Sequence, residues 1–303
     1  MSASKLHLHG CRYALGEDVC AVADLPDLQG FLDRHQMIHD AALWGWGSYC
    51  RTRSSAVDIG LAAAQQSVAA FARRRPIDAV VLCGTRFPGD VDGHADIVGR
   101  FLEALDLPAA APYGTSLNRC ATLMAGLRIA QALLLAGLHE AVLVAAFDAL
   151  ADEDTRLRHF AIFSDGAASF IMTRDLPGDF ELIDTAVAID AAAMRPDAEI
   201  SAALTRQAHA DIASRCGVAA GDVKHVAHNN LFRPIVAIKE QQAGFAARQL
   251  FLDNVTRIGH VSACDPIINL VDLAARGALS SGDLVALGSS VSGARFAGLV
   301  RMM

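Results

Sequence analysis

The chain alternates between short, mostly apolar runs and longer segments in which apolar residues recur at helical spacing. The clearest apolar runs cover Ile77 to Cys83, Ala141 to Phe147 and Leu284 to Leu287. Runs of this length that are rich in valine and leucine predict strands buried on both faces of a sheet. The alternation of such strands with helices predicts an α/β protein built from packed layers.

The other elements follow from the same patterns. Further strands are predicted at about residues 6–11, 180–188, 223–228 and 296–302, with two short strands between Phe160 and Met172. Helices are predicted to begin near Ser55, Gly93, Cys120, Ile200, Pro234 and Ser262, and to end near Arg73, Leu105, Gly137, Cys216, Leu250 and Ala275. Ser55 is a favourable N-cap residue, and Gly137 is a favourable residue for ending a helix. Residues 12–55 show no regular pattern and are predicted to be irregular.

One spacing occurs twice in the chain. Cys120 precedes Gly137 by 17 positions, and His260 precedes Gly277 by the same 17 positions. A buried strand follows each glycine, so His260 holds the place in the second half that Cys120 holds in the first. This repetition predicts two similar α/β halves, residues 1–176 with the cysteine and residues 177–303 with the histidine, divided near Pro177.

Composition and charge narrow the class of protein. Hydrophobic residues make up 53% of the 303 residues, and the formal net charge of −7 argues against nucleic-acid binding. No segment resembles a signal core or a membrane span, so we expect no membrane association. The seven cysteines form no Cys-x-x-Cys pair, which predicts neither disulfides nor a thiolate zinc site and fits a cytoplasmic location. His35 and His39 have helical spacing but no third ligand, so no metal site is predicted.

Cys120 is the first candidate for chemistry. It lies where the polar segment from Ser116 ends and a long apolar helical pattern begins. The positive end of the helix dipole and the free N–H groups there favour thiolate, the nucleophilic form of cysteine. The alternative is that Cys120 is a small core residue, as most free cysteines are.

Two histidines complete a candidate site. His228 ends a predicted strand, and His260 lies at the position that repeats that of Cys120. One imidazole near a thiol accepts its proton, and a second donates to an oxygen that gains charge in the transition state. We expect burial to keep both imidazoles neutral. For each histidine alone a structural role is favoured, but Cys120, His228 and His260 together, at related element ends, favour a catalytic site.

Four motifs in this order resemble one known family. They are Cys120-Ala-Thr-Leu-Met-Ala-Gly-Leu-Arg, Phe163-Ser-Asp-Gly-Ala-Ala, His228-Asn-Asn-Leu-Phe-Arg-Pro-Ile and Gly259-His-Val-Ser-Ala. They are similar to the β-ketoacyl-ACP synthase III branch of the thiolase superfamily over roughly residues 55–303. The resemblance implies a thiolase-like, five-layered αβαβα fold of two duplicated halves, usually a homodimer.

The resemblance also implies residue roles. Cys120 would accept the acyl group, with His228 and His260 as the other catalytic residues. The segment at Phe87 matches one that reaches the acyl pocket of the neighbouring subunit. The segment from Gly288 to Gly293, with Ser289, matches a glycine-rich closing loop whose backbone N–H joins that of Cys120 in an oxyanion hole. Asn230 is assigned to the same pocket.

The chain departs from the family in three ways. His260 stands where asparagine is expected, which gives a Cys-His-His set like that of the elongating ketosynthases. The segment between Asp175 and His225 is shorter than in the family. The tryptophan and arginine that grip coenzyme A have no clear counterparts, and only Trp44 or Trp46 offers a match. These departures favour an enzyme of specialised metabolism.

The sequence is consistent with three functions. The first is a ketosynthase that loads an acyl group from a coenzyme A or acyl carrier protein thioester onto Cys120 and condenses it with a malonyl-type thioester. The second is an acyltransferase that passes this acyl group to an alcohol or amine, with His228 as general base. The third is an inactive partner subunit of a heterodimeric synthase. None of them requires a cofactor beyond the thioester substrate.

Overall fold

The computed structural model describes residues 4–72, 74–195 and 199–303. The strands are β1 (Leu6–Leu15), β2 (Asp18–Ala21), β3 (Ser48–Arg51), β4 (Ala79–Cys83), β5 (Ala111–Thr115), β6 (Ala141–Asp148), β7 (Leu157–Arg158), β8 (Ala161–Ile162), β9 (Gly166–Arg174), β10 (Phe180–Ile189), β11 (Val223–His228), β12 (Leu284–Val291) and β13 (Ala294–Met302). The α-helices are α1 (Leu28–Arg34), α2 (Ala41–Trp44), α3 (Ala56–Phe71), α4 (Val91–Ala104), α5 (Thr122–Leu135), α6 (Ala202–Cys216), α7 (Arg233–Gln242), α8 (Asp253–Arg257) and α9 (Asp265–Ala275).

The main sheet shows the internal duplication directly. Its strand order is β11-β12-β13-β10-β1-β9-β6-β4-β5, and its two halves join where β1 pairs with β10. In the first half β9 is antiparallel to β1 and β6, and β4 is parallel to β6. In the second half β13 is antiparallel to β10 and β12, and β11 is parallel to β12. Thus β6, which follows the Cys120 helix, and β12, which follows the His260 helix, occupy matching places.

The helices form layers on both sides of each half-sheet. The largest apolar core contains residues of α5 and α9 together with strands of both halves, so these two helices form the middle layer. A second core lies between α3, α4 and the outer face of the first half, and a third between α6, α7 and the outer face of the second. The arrangement is the predicted αβαβα sandwich of five layers.

Helix α5 is held in the middle layer by apolar burial. Its residues Leu123, Met124 and Leu127 are almost completely buried. Burying an apolar side chain of this size stabilises a fold by about 1.5–3 kcal/mol. Gly126 is required on this helix because an added Cβ would lie 2.3 Å from the Sγ of Cys83 on β4. This close packing sets the position of the residues just before α5, among them Cys120.

Most predicted elements are present with small shifts at their ends. β11 has the predicted bounds, while β4, β6 and β10 differ by one or two residues. α3 ends at Phe71, and its predicted end at Arg73 lies outside the described residues. β9 ends and β10 begins on either side of Pro177, and the division into residues 1–176 and 177–303 stays a prediction.

Three predictions of local structure are wrong. The helix predicted to reach Leu250 ends at Gln242, and Gly244 beyond it has a φ of 105°, which α-helix does not allow. The predicted loop from Gly288 to Gly293 is strand as far as Val291, because β12 continues to pair with β13. Residues 12–55 contain regular structure: β2 pairs with β3, and α1 and α2 pack into a separate apolar cluster.

Candidate active site

Cys120 and His260 lie on two similar turns that face the middle of the molecule. Cys120 is in a single turn of 3-10 helix, two residues before α5 begins. The residue before each has left-handed backbone: Arg119 has a φ of 50°, and Gly259 has a φ of 65°. This conformation costs a non-glycine residue energy, and such strain is concentrated at functional sites. An added Cβ at Gly259 would also lie 2.6 Å from the carbonyl oxygen of Ile162.

The His260 turn is clamped to the loop that precedes β9. The N–H of His260 donates to the carbonyl of Ile162 at 2.7 Å, and the N–H of Ser164 donates to the carbonyl of His260 at 2.9 Å. The ring of Phe163 lies 4.7 Å from the ring of His260. The motif that begins at Phe163 in the sequence therefore orients His260.

A buried carboxylate completes the arrangement around His260. Nδ1–H of His260 donates to Oδ2 of Asp265 at 2.5 Å, and both side chains are fully buried. Burial alone would lower the pKa of His260, but the Asp265 carboxylate and the neighbouring Cys120 thiol more than offset it and raise the pKa to about 10. The ring is therefore an imidazolium at neutral pH. Its second nitrogen, Nε2, has no hydrogen-bond partner within the described residues, and Cys120 is close enough to raise the pKa of the ring. The site contains a Cys120–His260–Asp265 triad.

Asp265 is in turn held by several N–H donors. The N–H of Val261 donates to Oδ1 at 2.8 Å, and the N–H of Asn230 donates to Oδ2 at 2.7 Å. The amide of Asn230 adds a further bond to Oδ1 at 3.1 Å. These bonds offset the cost of burying a charged carboxylate. Asn230 orients Asp265 through these bonds, and its predicted place in the substrate pocket stays a prediction.

His228 has the opposite protonation behaviour. It is fully buried, and burial lowers the pKa of its ring to about 4, while Glu240 opposes the shift and Lys239 and Arg295 favour it. Its Nδ1 bonds the carbonyl oxygen of Asn229, which only accepts, so the proton of the neutral ring is on Nδ1. Nε2 of His228 therefore offers a lone pair, and within the described part of the chain it has no hydrogen-bond partner.

The expectation that burial keeps both imidazoles neutral is thus right for His228 and wrong for His260. The two rings are equally buried, so burial is not the difference. The difference is the carboxylate of Asp265, which stabilises the charged form of His260. The neighbours of His228, by contrast, are the carboxylate of Glu240 and two cations, Lys239 and Arg295, whose effects on the pKa oppose each other, so burial dominates.

The remaining predicted site residues lie in three places. Gly288 lies beneath the guanidinium of Arg295, where an added Cβ would lie 2.0 Å from Nη2. Ser289 is completely buried in β12. Gly293, with a φ of 75°, is in the turn after β12 and accepts from the N–H of Asp190 at 2.8 Å. Phe87 packs against Phe147 of its own chain, with ring centroids 5.9 Å apart.

The predicted closing segment, Gly288 to Gly293, makes contacts within the chain that the sequence did not predict. The N–H of Ser290 donates to Oδ1 of Asn229 at 2.7 Å, so it is not free to bind an oxyanion. Gly293 contacts the chain near Asp190 and Met194. The role of Cys120 N–H and of the neighbouring segment in an oxyanion hole stays a prediction. Trp44 and Trp46, the residues suggested for gripping coenzyme A, pack against Phe232, the fifth residue of the His228 motif.

Asp265 and Asn229 were missed as site residues by the sequence analysis. Asp265 lies five positions after His260, at the start of a predicted helix and before Pro266. A carboxylate at the start of a helix is usually explained by its favourable interaction with the helix dipole. For that reason Asp265 was not assigned from the sequence as the partner of His260. Its signal was its place as the first acid in the apolar segment that follows His260. For Asn229 the only signal was adjacency to His228.

The described residues contain neither a group of side chains that could hold a metal ion nor a helix that could cross a membrane. Across residues 4–72, 74–195 and 199–303, no group of three histidine, cysteine or acidic side chains is arranged to hold a metal ion. Within the same ranges no helix has the length and apolar character needed to cross a membrane.

Comparison with known proteins agrees with the fold. Residues 116–191, which include Cys120 and the Phe163 motif, match the family model described as 3-oxoacyl-[acyl-carrier-protein (ACP)] synthase III. No curated protein sequence matches the chain significantly.

Solved structures match almost the whole chain. ChlB3, described as an acyltransferase, is 20% identical with a TM-score of 0.79 and covers 99% of this chain and 98% of its own. 3-Oxoacyl-(acyl carrier protein) synthase III from Pseudomonas aeruginosa PAO1 is 18% identical with a TM-score of 0.79 and covers 98% of both chains. OleA from Xanthomonas campestris is 15% identical with a TM-score of 0.79 and also covers 98% of both. The predicted thiolase-like fold and the resemblance to the synthase III branch are confirmed.

Proposed function

We propose that this protein is an acyltransferase that takes an acyl group from a thioester onto Cys120 and passes it to an alcohol or amine. The observation that carries the proposal is the Cys120–His260–Asp265 triad, in which the carboxylate raises the pKa of His260 to about 10. Such a triad generates a nucleophilic thiolate and moves one proton in each half of the reaction. It also argues against an inactive subunit.

In the first half-reaction Cys120 is acylated. The Cys120 thiolate, with its proton held by His260, attacks the thioester carbonyl. The carbon–sulfur bond of the donor breaks, and His260 Nε2 gives its proton to the departing thiolate. The product is an acyl–Cys120 thioester and a neutral His260.

In the second half-reaction the acceptor is acylated. His260 is neutral after it has given its proton to the departing thiolate, so its ring now acts as a base. It takes the proton of the acceptor hydroxyl or amine as that atom attacks the acyl–Cys120 carbonyl. The bond to sulfur breaks, which returns the thiolate and the imidazolium. The lone pair on His228 Nε2 suits a hydrogen bond from the acceptor.

Decarboxylative condensation fits this geometry less well. It requires two hydrogen-bond donors directed at the enolate oxygen that forms when a malonyl group loses carbon dioxide. His260 supplies one donor, but the proton of His228 is committed to the carbonyl of Asn229. Only one of the two rings therefore donates. The predicted condensing activity is replaced in our proposal by transfer to oxygen or nitrogen.

The comparisons support the wider class of activity. The similar structures include a 3-oxoacyl-ACP synthase III and ChlB3, described as an acyltransferase. We take the donor to be an acyl thioester of coenzyme A or of an acyl carrier protein, with no added cofactor. All seven cysteines are free, which fits the reducing cytoplasm that we propose as the location.

The product separates the two reactions. We expect the acyl–enzyme, formed from an acyl thioester, to yield an ester or amide when small alcohols and amines are supplied. With a malonyl thioester added instead, we expect no carbon dioxide to be released above background. Mass spectrometry of the products together with capture of labelled carbon dioxide makes the measurement. Release of one carbon dioxide per turnover, dependent on His260, would contradict the proposal and favour decarboxylative condensation instead.

We also propose a homodimer formed at strand β5. This strand is the outer edge of the sheet, has no charged residue and leaves Tyr113 36% exposed, with Leu117 nearby 92% exposed. Exposed edges without charges readily pair with another strand. A second copy that pairs at β5 would continue the sheet across both chains.

This interface predicts a change of mass in solution. Tyr113→Asp should convert a particle of two chains into one of a single chain, because it places a charge on the edge of the sheet. The matched control is Val19→Asp, which adds the same charge at a side chain that is 71% exposed on β2. Light scattering during size-exclusion chromatography measures both. An unchanged dimer in the Tyr113 variant would exclude this edge as the interface.

A further inference from the structure

Asn229 is a completely buried residue between the two turns that carry Cys120 and His260. Its side-chain Nδ2 donates to the carbonyl of Cys120 at 3.3 Å and to the carbonyl of Ser262 at 3.4 Å. Its Oδ1 accepts from the N–H of Ser290 on β12 at 2.7 Å. One side-chain amide therefore bonds the turn that carries Cys120, the turn that follows His260 and strand β12.

These three segments are far apart in the chain. Asn229 is separated by 109 positions from Cys120, by 33 from Ser262 and by 61 from Ser290. The carbonyl oxygen of Asn229 also accepts from Nδ1 of His228, which leaves the lone pair of that ring on Nε2. A single residue thus contacts the backbone of Cys120, the ring of His228 and, at Ser262, the turn that follows His260.

We propose that Asn229 is a positioning residue whose side-chain amide sets the separation of Cys120 from His260. The inference rests on the proposed function only in taking Cys120 as the acyl acceptor. Asn229 does not touch the substrate. It acts through the two turns, which belong to different halves of the molecule and meet at its side chain.

The chemistry of the position explains why an amide is needed. Two carbonyl oxygens and one N–H surround the side chain, so it must donate twice and accept once. A carboxylate cannot donate to the two carbonyls and would add a negative charge beside Cys120. Leucine would leave all three buried groups unpaired, each at a cost of about 1–3 kcal/mol.

The test uses Asn229→Asp and the matched control Gln249→Glu. Gln249 is a buried amide with the same pattern: Nε2 donates to the carbonyls of Ala220 and Val223, and Oε1 accepts from the N–H of Ala246. It lies beside β11, away from Cys120. A loss of packing or of buried hydrogen bonds would affect both variants, whereas a positioning role affects only the first.

The main readout is the rate at which iodoacetamide alkylates Cys120, followed on its own peptide by mass spectrometry across pH. We expect Asn229→Asp to slow alkylation at least 10-fold and to shift its pH dependence, while Gln249→Glu matches the wild type. In turnover we expect kcat to fall with KM unchanged, and Asn229→Gln to recover part of the loss. Wild-type alkylation rates and pH dependence in folded Asn229→Asp would overturn the proposal.

Two other outcomes also decide the question. If neither Asn229 variant folds, the residue is structural and the positioning role is overturned. If the wild type forms no acyl adduct with any thioester, the proposed function fails, yet alkylation still tests Asn229 because it needs no acyl donor. The two failures are therefore distinguishable.

Discussion

Replacing Cys120 with alanine should abolish acyl–enzyme formation. Wild-type protein mixed with an acyl thioester should gain the mass of one acyl group, and Cys120→Ala should gain none. The reason is that the acyl group forms a covalent bond to Sγ of this residue, and the remaining site offers no replacement atom on the same turn. Intact-protein mass spectrometry with a panel of acyl thioesters makes the measurement and also reveals which acyl group is preferred.

The control for this result is Cys216→Ala. Cys216 is partly exposed, as Cys120 is, but it lies at the end of α6 beside Asp184. Its replacement should leave the acyl adduct intact. An adduct of unchanged yield on Cys120→Ala would show that another cysteine or a different residue is the acyl acceptor, and the proposed mechanism would fail at its first step.

Asp265→Asn should lower the rate of acyl transfer by about 10²–10⁴, the range expected when the group that orients a catalytic histidine is lost. In the wild type the carboxylate and the Cys120 thiol raise the pKa of His260 to about 10, so the imidazolium is present through neutral pH. Without the carboxylate the main remaining effect is burial, which lowers the pKa. The charged form is then lost at neutral pH, and we expect the remaining activity to move to more acidic pH.

The control for this prediction is Asp272→Asn on the same helix. Asp272 is also buried, but it pairs with Arg257 and Asn254, away from His260. Its replacement should reduce stability without changing the pH profile of transfer. If Asp265→Asn retained the wild-type rate and pH profile, the protonation of His260 would not depend on this carboxylate. Decarboxylative condensation would then again be the better proposal.

The sequence predicted the layers of the fold because its strongest signals are local. The apolar run of β6, for example, forms a strand that is buried along its whole length, because both faces of the sheet are covered there. The helix after Cys120 was equally clear from its continuous apolar pattern. The predictions failed where pairing partners or a single backbone angle decide the structure. β12 continues past Gly288 because β13 pairs with it, and α7 ends before Gly244.

The site was predicted in part for the same reason. Cys120 and His260 were found because a repeated spacing, a local property of the chain, places both at helix starts. Asp265 was missed because its pairing with His260 depends on side-chain orientation, and its position in the sequence is equally typical of a helix cap. The role of Asn229 depends on groups up to 109 positions away, and no local pattern reports such contacts.

The sequence by itself determined that this chain forms duplicated α/β layers and that Cys120, His228 and His260 are its chemical candidates. Only the tertiary structure decided the protonation state of each histidine and therefore its role. The pKa of a buried ring depends on the charges that the fold places around it. Burial lowers the pKa of both rings. Near His228 the effect of Glu240 is opposed by Lys239 and Arg295, so the pKa stays at about 4, whereas the Asp265 carboxylate bonded to His260, together with Cys120, raises that pKa to about 10. That difference favours acyl transfer over condensation.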